Sequence, residues 1–314
     1  MSYIFQLAPM AELTHRALRQ LIYDFGGCDE YFAEMISAPA LLAGGPFEKW
    51  YIDNGPCPEK LVFQLLGSNA GQISRAAAML DNMECIGIDI NMGCGAPLIR
   101  KSGAGAAWMG SIDRAGELIS KVRPNVKRRL SVKLCIGFRE DFEYLASFCR
   151  RLEAEGVDLI ILHPRTVMEK FKRLAHWKYV EMLKKELKIP LAGNGDIQSA
   201  GQLVSRAETY GMVMTGRAAV RQPWIFAQAR KMEKGGASGL TTNFVPDIEE
   251  TGLRFLELLA RYQPPEFHVS RARRFFGYFC DNLKWGNYLK NILNREHSLT
   301  GIEKAWQAYF AEIC

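Results

Sequence analysis

Eight short apolar runs, most of them separated by helix-like segments, constrain the fold of this 314-residue chain more than any other feature. The runs predict strands at Ile4–Ala8, Tyr31–Met35, Leu61–Leu66, Ile86–Ile90, Leu130–Leu134, Leu159–Leu162, Ile189–Ala192 and Met212–Thr215. The segments between them predict helices at Thr14–Phe25, Ala70–Asp81, Asp113–Val122, Phe142–Glu155, Trp177–Leu187 and Ser199–Arg206. Strands that alternate with helices in this way predict an α/β fold, a (β/α)8 TIM barrel.

A doubly wound open sheet is the competing architecture, and it requires a G-x-G-x-x-G motif directly after a strand. The nearest candidate, Gly103-Ala104-Gly105, lies well past the strand that ends at Ile90 and lacks a third glycine at the required spacing. The alternating pattern ends near Gly236, which gives a length typical of the barrel. We therefore predict the barrel.

The sequence pattern changes beyond a glycine-rich linker at Gly235–Gly239. From Asp247 onward, apolar residues recur with helical spacing and without strand signals, which predicts a bundle of about four helices. The chain is thus predicted to contain a barrel domain at residues 1–238 and an all-α helical bundle domain at residues 239–314.

The composition and the cysteine spacing indicate which partners the chain can bind and whether it carries a metal site. The formal net charge of +6 is compatible with a polyanionic partner. No two of the eight cysteines are spaced as C-x-x-C, so we expect no metal site. Scattered thiols are typical of the reducing cytoplasm, where we expect the protein to work. No apolar run reaches the length of about 18 residues that a membrane span requires, so we expect no membrane interaction.

Polar and glycine residues stand at most of the predicted strand ends, where TIM barrels carry their active sites. Glycine N–H groups and Arg217, after the seventh and eighth strands, would hold a phosphate. Lys133 and Gln64 would face the oxygen-rich edge of an isoalloxazine ring, where a cation stabilises the reduced form. These residues favour FMN as a cofactor. The alternatives are glycines that only permit tight turns and a His163 that belongs to the core.

Cys94 lies in a glycine-bounded loop, residues 91–97, after the fourth predicted strand. One interpretation is a small buried hydrophobic residue, the usual environment of a free cysteine. The other is a reactive thiol at the end of a strand, because loops on a rigid scaffold often carry chemistry. The sequence pattern leaves both interpretations open.

Eight segments of the chain resemble the tRNA-dihydrouridine synthase family and are most similar to its bacterial B-type subfamily. They are LAPMA, QLLG, DINMGC, KSGAGAA, VKLCIGF, LHPRT, GNGDI and TGRAAVRQPWIF. The resemblance implies an enzyme that uses FMN and NADPH to reduce a uridine in the D-loop of tRNA. It also implies that FMN contacts Pro9, Met10, Ala11, Gln64, Lys133, His163, Asn194, Gly195, Asp196, Gly216 and Arg217.

In the mechanism that the resemblance implies, a flipped-out uracil receives hydride at C6 from reduced FMN and a proton at C5 from Cys94. Asn91 would orient the base by its amide, and Arg100 and Lys101 would contact tRNA phosphate. We expect the enzyme to be a monomer.

Four positions depart from the family pattern. Gly95 replaces a proline, Cys135 replaces an arginine that can contact the substrate base, and Pro164 and Arg173 each replace a glycine. Together these departures leave altered substrate position and weakened activity open as alternatives.

Residues 268–295 carry six lysines and arginines against one carboxylate. In line with the resemblance, we expect Arg271, Arg273 and Arg274 to contact tRNA phosphate. The alternative is a bundle whose charges form a solvated face. The aromatic residues interleaved with them, Phe275, Phe276, Tyr278 and Trp285, are expected in the core of the bundle.

Two other functions remain open. The first is an FMN barrel enzyme that acts on a free pyrimidine-like small molecule, although such a substrate requires no basic helical domain. The second is a tRNA-binding protein with lost activity, which Cys135 would favour.

Overall fold

The computed structural model describes residues 3–169, 172–235 and 246–313. The predicted domain boundary between residues 238 and 239, with most of the predicted linker, lies outside the described residues. Within those ranges, no helix is long and apolar enough to cross a lipid bilayer.

All strands of the described chain belong to one parallel sheet. They are β1 (Ile4–Leu7), β2 (Glu30–Phe32), β3 (Ile36–Ser37), β4 (Leu61–Leu66), β5 (Gly87–Met92), β6 (Arg129–Gly137), β7 (Leu159–Thr166), β8 (Leu191–Asn194) and β9 (Met212–Thr215). Eight of them close into a barrel in the order β1-β2-β4-β5-β6-β7-β8-β9, with β9 paired to β1. The two-residue β3 pairs with the end of β4. The predicted TIM barrel is therefore confirmed.

The helices of the barrel region lie between and after these strands. They are α1 (Arg16–Asp24), α2 (Ala38–Ala43), α3 (Glu48–Tyr51), α4 (Ala70–Asp81), α5 (Pro97–Lys101), α6 (Ile112–Val122), α7 (Phe142–Ala154), α8 (Lys178–Lys184), α9 (Ala200–Tyr210), α10 (Arg217–Arg221) and α11 (Ile225–Gly235). Beyond residue 246, the described chain forms α12 (Ile248–Tyr262), α13 (Pro265–Phe279), α14 (Gly286–Leu293) and α15 (Leu299–Ile313). These four helices are the predicted bundle.

The inside of the barrel changes from apolar to polar toward the C-terminal ends of the strands. One apolar cluster is built from residues on or next to six strands and includes no helix residue, so it fills the barrel interior. Ile161 and Ala192 belong to it. Because alternate residues of a strand share one face, His163 and Asn194 point to the same interior one layer higher. The polar layer above the apolar layer is where a site can form.

Four strands run further than their apolar pattern predicts. β5 continues through Asn91, β6 reaches Gly137, β7 continues through His163 to Thr166, and β8 ends at Asn194. The prediction ended each strand at its last apolar residue, but backbone pairing continues into the polar upper layer of the barrel. Several predicted site residues therefore stand on strands, which hold a side chain more rigidly than a loop.

The helical bundle packs on the barrel, with α12 against α1 and α13 against α10. Its core contains stacked aromatic rings, among them Phe255 and Phe275 with centroids 3.7 Å apart. Phe275 and Phe276 are buried, as predicted for the aromatic residues of this region. The same prediction is wrong for Trp285, whose side chain is 58% exposed.

Candidate active site

A cavity of about 270 Å³ lies at the C-terminal ends of the barrel strands, between the barrel and α13. It is lined by ten of the eleven residues predicted to contact a cofactor: Pro9, Met10, Ala11, Lys133, His163, Asn194, Gly195, Asp196, Gly216 and Arg217. The bundle contributes Arg274 and Tyr278 to the same cavity. The structure thus brings together residues that are far apart in the sequence, from both parts of the chain.

Gly195 and Gly216 let the backbone approach the cavity closely after β8 and β9. Gly195 has φ +135°, and a Cβ there would lie 3.0 Å from the Cβ of Ala175. A Cβ on Gly216 would lie 3.0 Å from the Sδ of Met10. Arg217 follows directly and is partly exposed, with its guanidinium 3.7 Å from Asp196. Backbone approach and a nearby cation at this end of a TIM barrel suit a phosphate group.

Arg165 organises this end of the cavity, although the sequence analysis assigned it no role. Its side chain is buried and forms two hydrogen bonds to Asp196, at 2.5 and 2.6 Å. Burial alone would raise the pKa of Asp196, but the hydrogen bonds from Arg165 and from the N–H of Ala175 hold it below its usual value. Asp196 therefore stays ionised and fixes the loop after β8. The LHPRT segment was the only sequence signal for this residue.

His163 stays neutral in this cavity. Burial lowers the pKa of its imidazole to about 3, and the positive charges of Lys133 and Arg165 add to that effect. The Nη1 of Arg165 lies 2.9 Å from Nε2 of His163. Because a guanidinium can only donate, Nε2 is the acceptor, and the neutral ring carries its proton on Nδ1.

Lys133 and Asp89 place opposite charges inside the barrel. Burial lowers the pKa of Lys133, an effect that the carboxylate of Asp89 opposes. Burial raises the pKa of Asp89 to about 6, even though Ser131 and Gln64 donate hydrogen bonds to it. Of these two residues, Lys133 lines the cavity. Asp89 balances its positive charge only in part, so Lys133 can stabilise negative charge on a bound group.

A chain of side-chain hydrogen bonds links this buried carboxylate to the loop that carries Cys94. Gln64 donates from Nε2 to Asp89 at 2.7 Å, and Asn91 donates from Nδ2 to Oε1 of Gln64 at 2.8 Å. Asn91 Oδ1 then accepts from the backbone N–H groups of Gly93 and Cys94. Because an ionised carboxylate can only accept, the orientation of both amides follows from Asp89.

This chain gives Gln64 and Asn91 a structural role that was not predicted. Gln64 is fully buried and is not among the residues that line the cavity, and its contact with a flavin ring stays a prediction. Asn91 is 7% exposed and uses one N–H and the oxygen of its amide within the protein, and its contact with a substrate base stays a prediction. Both amides hold the cysteine loop. The sequence could not show this, because it depends on the register between neighbouring strands.

Of the seven cysteines that the structure describes, six are buried and Cys94 is partly exposed. Its carbonyl accepts a hydrogen bond from the N–H of Ala106 at 2.9 Å. Gly105 permits this contact, because a Cβ there would lie 2.5 Å from the Cys94 oxygen. The loop is thus anchored on both sides of the cysteine. Cys94 is not among the residues that line the cavity, but it lies three residues after Asn91, which is paired with the cavity residue Lys133 across the sheet. The interpretation as a reactive thiol is favoured.

Cys135, which stands where the family has an arginine, is buried and is not among the residues that line the cavity. It is buried against Met109, with its Sγ 3.5 Å from the thioether sulfur. Burial raises the pKa of its thiol to about 11. Cys135 is therefore a packing residue in this structure, and neither replaces the arginine nor competes with Cys94 as an acid.

The structure separates the three arginines predicted to contact tRNA. Arg271 is buried and forms an ion pair with Glu34, so its predicted phosphate contact is corrected. Arg273 donates to the carbonyl of Glu296 and is partly buried. Arg274 is 53% exposed and lines the cavity, so it alone of the three faces the site directly. The sequence showed a cluster of charge but could not show which members a packed helix buries.

Arg100 and Lys101 lie in α5, directly after the cysteine loop. Arg100 donates from Nε to the carbonyl of Gly95 at 3.2 Å, so part of its guanidinium supports the loop. Lys101 is exposed. Both lie on the open face of the barrel, where a large polyanion can reach them.

One group in the described chain brings metal-ligating atoms together at the barrel face. These are Glu140, Glu169 and His176, with one ligand atom of each within 4.8 Å of the others. Nε2 of His176 and a carboxylate oxygen of Glu169 lie 2.8 Å apart and form a hydrogen bond, which explains why these two residues are close together. The group therefore gives no reason to revise the prediction that the protein lacks a metal site.

Comparisons with known proteins agree with this geometry. The family model described as dihydrouridine synthase (Dus) matches residues 6–310. A probable tRNA-dihydrouridine synthase of Aquifex aeolicus is 31% identical over 233 residues, which are 72% of each chain. Another, from Rickettsia conorii, is 26% identical over 311 residues, covering 98% of this chain and 93% of the relative. A solved structure of a morphinone reductase mutant superposes with a TM-score of 0.50 at 12% identity, covering 72% of this chain and 86% of that one.

Proposed function

The chain belongs to the dihydrouridine synthase family, and from that premise we propose that it reduces a D-loop uridine of tRNA to 5,6-dihydrouridine, with FMN as cofactor and NADPH as electron source. The observation that carries the proposal is one cavity lined by Lys133, His163 and Arg217 of the barrel and by Arg274 of the bundle. The loop of Cys94 follows β5, the strand that pairs with the strand of Lys133. A cofactor site open to a basic helical domain suits a nucleic acid substrate.

The residues of the cavity fit FMN. Gly195, Gly216 and Arg217 offer close backbone approach and a cation for its phosphate, and Lys133 offers a cation for its ring. When bound, FMN supplies the hydride that a uracil ring receives at C6. His163 is neutral and would contribute hydrogen bonding without adding positive charge to the cation of Lys133.

Cys94 is the residue proposed to donate a proton to C5 of the uracil. Its side chain is partly exposed, and its loop is anchored by Asn91 on one side and by Ala106 on the other. A thiol is mostly protonated at neutral pH, which suits a general acid. Cys135 has no such access, because it is buried against Met109.

Arg274 and Tyr278 would meet the RNA as it enters the cavity. Both belong to α13 and line the cavity from the bundle side, opposite the barrel residues. An exposed arginine there would contact a phosphate near the reacting nucleotide. Lys101, on the barrel side, would contact a second phosphate. We further infer a monomeric B-type enzyme that works in the cytoplasm, where its tRNA substrate is found.

Mapping dihydrouridine in tRNA from a strain that lacks this protein tests the proposal. Loss of one D-loop dihydrouridine, restored by the wild-type gene, is the expected result. The purified protein should be yellow with noncovalent FMN, and NADPH should reduce that flavin. If tRNA modification is unchanged while free uracil reoxidises the flavin, the chain is a small-molecule oxidoreductase instead.

A further inference from the structure

The three most exposed large apolar side chains of the described structure lie on the face of the barrel that carries the candidate site. Leu98 is 83% exposed, Leu174 80% and Met168 69%. Leu98 is in α5, four residues after Cys94, and the other two lie in the segment after β7. We call these three residues the apolar rim. A group of large exposed apolar side chains that borders a site is typical of a contact surface.

The loops that carry the apolar rim touch one another and the cavity wall. A Cβ on Gly95 would lie 3.3 Å from Val167, so the cysteine loop contacts the loop of Met168. Val167 in turn donates its N–H to the carbonyl of Gly137 at 2.8 Å. Next to Leu174, the N–H of Ala175 is bound to Asp196 of the cavity at 2.7 Å. The rim therefore borders both the cysteine and the cavity.

The charges around the apolar rim indicate which class of molecule this surface binds. Lys101, Lys172 and Arg173 are exposed on the same loops, and Arg139 is exposed on the neighbouring loop after β6. Among the carboxylates of the loops after β6 and β7, Glu169 is bound to His176 and to the N–H of Thr166, Asp141 caps α7, and Glu140 is exposed 3.8 Å from His176. Apolar side chains bordered by exposed cations are complementary to the bases and phosphates of a nucleic acid.

We propose that the apolar rim contacts the bases on either side of the reacting uridine, an inference that rests on the proposed function. A uracil that leaves its stack exposes the faces of its neighbours, and leucine or methionine side chains can cover those faces. Leu98 is best placed for this role, because it is the most exposed of the three and the nearest in sequence to Cys94. The rim adds an apolar contact that the phosphate-binding cations cannot supply.

The test uses the FMN-loaded protein and unmodified tRNA, with Leu98→Gln, Met168→Ala and Leu174→Ala variants. The matched control is Met79→Ala, since Met79 is 48% exposed on α4, away from the barrel face. Each rim variant should weaken tRNA binding, and the three together by about tenfold or more, the value of one well-buried apolar side chain. The slope of binding against salt should stay unchanged, whereas Lys101→Ala should reduce it by about one unit. Flavin reduction by NADPH should not change.

Three outcomes would overturn the inference. The first is wild-type tRNA affinity in the triple variant, and the second is an equal loss in Met79→Ala. The third is an equal loss of flavin reduction by NADPH, which would show that the substitutions disturb the flavin site rather than a contact with RNA. Failure of the proposed function is distinct, because the wild-type protein would then form no dihydrouridine at all.

Discussion

Arg271 of α13 forms an ion pair with Glu34, which lies just after β2, with an N–O distance of 3.0 Å, and both side chains are almost fully buried. Glu34 also accepts a hydrogen bond from the backbone N–H of Glu12 at 2.8 Å. Glu12 lies in the loop after β1, next to the residues that line the cavity. Burial raises the pKa of Glu34, and the charge of Arg271 opposes that rise. The pair thus joins the helical bundle to the barrel next to the site.

Removing one member of this pair should lower the free energy of unfolding more than removing both. Glu34→Gln should lower the free energy of unfolding by about 3–5 kcal/mol, because the buried charge of Arg271 is left without its partner. The double variant with Arg271→Met should lose less than Glu34→Gln alone. Urea unfolding of the three proteins measures the difference. Losses that simply add would show that the two residues act independently.

Arg274, unlike Arg271, should contribute to tRNA binding. Arg274→Ala should weaken binding and lower the slope of binding against salt by about one unit, because one phosphate contact is lost. Arg75→Ala is the matched control, since Arg75 is an exposed arginine on the outer helix α4. Filter binding at four salt concentrations provides the measurement. Equal effects of the two substitutions would indicate general electrostatic attraction rather than a contact at the cavity.

Asn91 should act on catalysis by positioning Cys94. Asn91→Leu keeps the number and branching of the side-chain heavy atoms but removes the acceptor that holds the N–H groups of Gly93 and Cys94. We expect flavin reduction by NADPH at the wild-type rate and slower reoxidation by tRNA, with a larger effect on kcat than on KM. Rapid-mixing absorbance separates the two half-reactions. A rise in KM alone would instead assign Asn91 to substrate binding.

His15 should make the protein sensitive to acid. Its ring is buried between the barrel and the bundle, and its nitrogens have no hydrogen-bond partner in the described structure. Burial and the charges of Arg271 and Arg19 lower its pKa well below 6.5. The unfolded chain therefore binds a proton that the folded protein does not, and stability falls as pH drops below 6.5.

His15→Phe should remove this dependence. Between pH 6.5 and 5, the free energy of unfolding should fall by about 2 kcal/mol less in the variant than in the wild type. Replacement of the exposed His297 is the control. Urea unfolding at the two pH values gives the comparison, and parallel losses in wild type and His15→Phe would contradict this role.

Local signals in the sequence predicted much of the architecture. α4 was predicted at Ala70–Asp81 and found there, because its apolar spacing is a property of neighbouring residues. The lining of the cavity was also predictable, since strand ends of a TIM barrel converge at one face. Short helices such as α5 were not predicted, because they hold too few residues to show a period.

The remaining features depend on contacts between distant segments. Gln64 was placed correctly on its strand, yet only the pairing of β4 with β5 shows that its amide is bound to Asp89. Arg271 belonged to a visible cluster of charge, yet only the docking of α13 shows that it is buried. The pair of Arg165 and Asp196 likewise forms because β7 and β8 are neighbours.

Single-turnover reoxidation of the reduced flavin by unmodified tRNA tests the central claim most directly. Wild-type protein should reoxidise and leave dihydrouridine in the tRNA. Cys94→Ala should keep its FMN and accept electrons from NADPH, but it should reoxidise about 100-fold more slowly or worse, because a positioned general acid is missing. Cys135→Ala, which alters a buried thiol, should have a mild effect. Reoxidation of Cys94→Ala at the wild-type rate would contradict the assignment of Cys94 as the proton donor.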